Sequence, residues 1–132
     1  MISWKILGLA GLIAIGTSFQ AGWAHHSGAM FDHTKTVTVT GTVRDFEWSN
    51  PHVWLDLMVP DGKGGTTSWA FEGGSVNAMF SLGWHPRSVK PGDEVTVTGI
   101  PARTGGFTAE LHSVKRPNGT TVPPNAAPLH GV

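Results

Sequence analysis

Cysteine is missing altogether, and that excludes a disulfide framework, a thiolate metal site and a thiol nucleophile. Charge is scarce and balanced, nine Lys and Arg against nine Asp and Glu. No basic field exists to hold phosphates, so nucleic acid is not an expected partner. Long apolar runs are missing too. Ile6 to Gly16 falls well short of the roughly 20 residues that cross a bilayer. With Lys5 ahead of it and Gly22-Trp23-Ala24 behind, this run reads as a secretory signal peptide over residues 1–24. The expected product has no membrane span after processing, begins at His25 and resides in the periplasm or is secreted. There is no nucleophile elbow, His-Glu-x-x-His motif or phosphate loop, so an enzyme is not the favoured reading.

What is present is aromatic and imidazole-rich. The chain carries six Trp, six Phe and seven His, and all the histidines follow Ala24. Without disulfides, a small domain in an oxidising compartment is held by packing alone, and the large rings can supply that area.

The chain is organised around residues 36–59. Val37, Val39, Gly41 and Val43 alternate with threonines, the period of a half-buried strand. The parity changes at Arg44-Asp45, because Phe46 and Trp48 are the next large apolar residues, and this predicts a β-bulge. Ser49-Asn50-Pro51 supplies a corner. A second strand is expected from His52 to Val59 and a third over 66–71. A two-turn helix is expected next, capped by Ser75, carrying Val76, Met79 and Phe80 on its packed face and stopped by Gly83. A fourth strand over 94–100 and a fifth over 107–114 follow, and Asn118-Gly119 folds a short sixth strand over 120–122. Asn118-Gly119-Thr120 also fits a glycosylation acceptor, although turn chemistry accounts for it.

Three strands, a short helix and two more strands is the order of an OB-fold, a small five- to six-stranded Greek-key β-barrel with ligands usually taken across strands two and three. A two-sheet sandwich is the alternative. One domain is expected over 25–122, with an N-terminal arm over 25–35 that tucks in Met30 and Phe31. A loosely held tail over 123–132 completes the chain.

With these residues laid out, the chain resembles the domain of unknown function 6152 family of small secreted bacterial proteins. The matching pieces are His25-His26-Ser27 with Ala29-Met30-Phe31-Asp32, Thr40-Gly41-Thr42-Val43, Phe46-x-Trp48-x-Asn50-Pro51-His52, Glu72-Gly73-Gly74-Ser75 with Asn77, Gly83-Trp84 and Pro91-Gly92-Asp93. Gly28 departs from the larger residue expected there. The resemblance implies an exported single domain and supplies no activity.

Two binding chemistries are open. A freshly exposed His25 brings an α-amine beside its own imidazole. With imidazoles from His26 and His52 these form a nitrogen site that favours Cu(II), with Ni(II) next and zinc accommodated. Glu72, His85 and Asp32 are its candidate supplementary ligands or outer support. Alternatively Trp48, Trp54, Trp69 and Trp84 form a stacking platform for a sugar, peptide or other small ligand, unless they serve as core. Asp45, Glu47 and Asp56, with Arg44 beside them, read as a surface charge cluster.

Overall fold

The computed structural model describes residues 29–129, so the leader, His25 and His26 lie outside the described residues. Six strands form one sheet: β1 (Val37–Glu47), β2 (Trp54–Pro60), β3 (Thr66–Glu72), β4 (Glu94–Pro101), β5 (Thr108–Lys115) and β6 (Thr121–Val122). A single short helix, α1 (Val76–Leu82), stands between β3 and β4. The sheet order is β3-β2-β1-β4-β5-β6. A parallel pairing of Ala70–Glu72 with Thr108–Glu110 closes β3 on β5, giving a five-stranded barrel with β6 as an addition. This is the expected OB-fold topology.

The threonine–valine alternation of β1 produces its two faces. Val43 is buried, while Thr38 and Thr40 stay outside and bond Thr98 and Thr96 hydroxyl to hydroxyl on β4. The parity change is a bulge. Val43 faces Leu57 and Asp45 faces Asp56, so Arg44 is the extra residue. That bulge lets one long strand serve both β4 and β2. The core gathers Val43, Val53, Leu55, Leu57, Phe71, Met79, Trp84, Val95, Val97, Ala109 and Val114.

Three expectations need correction. The second strand starts at Trp54 instead of His52, because Val53 bonds backbone to backbone with Gly73 and Gly74, outside the β1–β2 ladder. In α1 the buried residue is Met79 and Phe80 is 58% exposed. Adjacent helix positions point about 100° apart, so so short a helix seats one of them on the barrel and turns the other outward. Likewise Phe31 in the arm is buried but its neighbour Met30 is exposed. At the described tail the His112 ring donates from Nε2 to the Ala127 carbonyl at 2.7 Å.

Candidate functional site

The site grows from the corner between β1 and β2. Asn50 turns its side-chain oxygen to the first turn of α1 and accepts from the Val76 backbone N–H at 3.0 Å. Ser75, the N-cap, accepts from Ala78 at 3.3 Å. Two of the helix's unpaired amides are thereby satisfied, and the corner is tied to the helix start. Gly73 donates to the Val53 carbonyl and Val53 to the Gly74 carbonyl, at 2.7 and 2.9 Å. His52 sits between these ties.

Its ring is oriented by two acceptors. Nδ1 lies 3.1 Å from the Gly73 carbonyl and 3.2 Å from Glu72 Oε1. A carbonyl only accepts, so Nδ1 carries the proton and the neutral ring keeps its lone pair on Nε2. A tautomer fixed this way is the usual preparation of an imidazole for a metal or a proton. His52 is 34% exposed, whereas Glu72 is 13% exposed.

Glu72, at the end of β3, stands beside Glu110 of β5 across the closing seam. His33 in the arm approaches Glu110 at 3.8 Å. A cleft of about 280 Å³ opens here between the seam and α1. His52, Glu72 and Glu110 give it polar edges, and Phe31, Met79 and Leu111 apolar walls. The arm reaches it because Phe31 bridges to Ala102, Asp32 donates to Pro101, and Arg103 donates to the Met30 and Ala29 carbonyls.

Of the expected site residues, those described, His52, Glu72, His85 and Asp32, do not form one group. Among the described residues, no three His, Asp or Glu side chains stand close enough to hold a metal ion. His52 and Glu72 do meet. His85 does not join them, because it leaves α1 on the Phe80 side, its ring edge-on to Phe80 at 5.1 Å. Asp32 is used within the arm. Hydrogen bonds from the Thr34 hydroxyl, then Lys35 and the Thr34 amide, hold its carboxyl down to about 2 from the ordinary 3.8.

Of the tryptophan platform, one member is corrected. Trp84 is 1% exposed and is core. Trp48 packs with Phe46, and Trp69 lies against Phe71 and Phe107. Both lean on the core, as a domain without disulfides requires of its large rings. Trp54 alone of the four stands outside the core cluster. Sequence reasoning missed Glu110 and His33. The parallel β3–β5 seam that sets Glu110 beside Glu72 joins segments far apart in the chain, and no local pattern marks it.

Comparison with known proteins agrees with the fold. A mitochondrial single-stranded DNA binding protein from S. cerevisiae, Rim1, is similar in structure with a TM-score of 0.50 and 13% sequence identity. The match covers 64% of this chain and 94% of Rim1. At that identity the likeness speaks for the barrel alone. No curated protein matches. The family described as "Family of unknown function (DUF6152)" matches residues 13–110, which span the arm, the corner, the helix and the closing seam, and the chain belongs to that family.

Proposed function

We propose that this protein is an exported, periplasmic binding or accessory module that holds a transition metal, Cu(II) first, between its processed N-terminus and the barrel corner. His25 supplies its amine and imidazole, His26 and His52 supply imidazoles, and Glu72 holds His52 in place from behind. The observation that carries this reading is the His52 ring, fixed through Nδ1 by Gly73 and Glu72 with Nε2 left to ligate.

Two further points support it. Phe31 lines the same cleft as His52, and Ala29 is four residues beyond His25. Four extended residues reach about 13 Å, so the terminus has the length to return to that cleft. Nitrogen donors of this type favour Cu(II) over harder cations. The single-stranded DNA named for Rim1 suits this chain poorly, since its charge is balanced overall and Arg44 is committed to Asp56 at 2.8 Å.

The test compares protein processed by its own leader to a free His25 terminus with the same protein acetylated at that α-amine. Acetylation removes the amine as a donor, and Cu(II) affinity should fall by about 10-fold or more. Equal affinity would end the proposal.

A further inference from the structure

The outer face of β1, β2, β3 and β5, which runs into the cleft at Glu72 and Glu110, carries an arrangement that stability does not ask for. One row runs Glu47, Trp54, Glu72, Glu110, each the register partner of the next. The adjacent row places Asp45 directly opposite Asp56. Like charges facing each other across strands are destabilising, and here it happens twice, at Asp45–Asp56 and at Glu72–Glu110. The cation that relieves the first is Arg44, bound to Asp56. The neighbours of the second pair are His52, 3.2 Å from Glu72, and His33, 3.8 Å from Glu110. In the middle lies Trp54, half-buried yet outside the core cluster.

We propose that this sheet face docks a lysine- or arginine-bearing segment of a partner protein, laid across the strands with a basic side chain over Trp54. Charge complementarity selects the sign of the partner. Trp54 offers a ring face to a cation, a contact worth more for indole than for other rings. The width selects an extended segment over a small cation. Four strands span about 14 Å at the usual strand spacing, and alternate side chains of an extended peptide recur every 6.6–6.8 Å or so, which lets two or three basic residues reach separate carboxylates. The surface shares Glu72 with the proposed metal site, and the test is run in EDTA on Trp54 and Glu47 so that the two readings fail separately.

Binding of a fluorescein-labelled oligoarginine peptide to the full processed chain, in EDTA and at low salt, tests it by anisotropy. Trp54→Ala should weaken binding by about 2- to 5-fold and Glu47→Gln by about 2- to 5-fold, while Trp54→Phe keeps part of the affinity. Thr121→Lys makes the same change in net charge on β6, past the other end of β5, and should leave binding nearly unchanged. Circular dichroism of each variant confirms that it folds. No binding by the unaltered protein would overturn the inference. So would wild-type affinity in the Trp54→Ala and Glu47→Gln variants, or an equal loss in Thr121→Lys, which would reduce the effect to net charge.

Discussion

At the residue scale, one imidazole decides what the cleft can do. Donation from His52 Nδ1 to Gly73 and Glu72 fixes the tautomer, and losing such a partner typically weakens metal binding 10- to 100-fold. Glu72→Gln keeps an acceptor but removes the charge, so titration calorimetry should show Cu(II) affinity down by about 10-fold. Asp32 makes a separate pH prediction. Its carboxyl is held at about 2 by the Thr34 hydroxyl and Lys35. A depressed carboxylate stabilises the folded arm fully above its ordinary value near 3.8, and that contribution is lost as pH falls through about 2. Carboxyl NMR should find Asp32 titrating near 2, and Thr34→Val should move it back upward. Titration at the ordinary value in the unaltered protein would contradict the hydrogen-bond account. Trp84 belongs to stability alone, and Trp84→Ala should cost about 3–5 kcal/mol in denaturant unfolding.

At the scale of elements, the closing seam depends on close approach. A Cβ on Gly99 would run into the Glu110 backbone carbonyl and meet the Phe71 ring at 3.2 Å. Neither neighbour moves freely, because Glu110 is in two ladders and Phe71 is core. Gly99→Ala should therefore destabilise by about 1–3 kcal/mol in the same unfolding measurement. The elements themselves were readable in the chain. The bulge at Arg44 followed from a parity change, and Ser75 and Gly83 marked both ends of α1 because capping is local chemistry. Burial on the helix was not. Met79 and Phe80 are both apolar and adjacent, and which of them meets the barrel depends on how α1 is docked, which the His52 corner and Asn50 settle.

At the scale of the whole molecule, the barrel gathers on one side what the chain keeps apart. The arm, the corner after β1, the end of β3 and the middle of β5 converge on a single cleft. Half of that convergence could be read in advance, since His52 and Glu72 flank turns that the sequence announces. Glu110 and His33 could not, because they arrive through barrel closure and arm docking. The same closure turned three of the four tryptophans into packing and left Trp54 outside. The central claim is that the processed terminus and His52 share one metal. Pulsed EPR of one equivalent of Cu(II) on leader-processed protein tests it most directly, comparing the unaltered chain with His52→Ala. Coupling from a His52 imidazole, lost in the variant, is the predicted result, and superimposable spectra from the two proteins would contradict it.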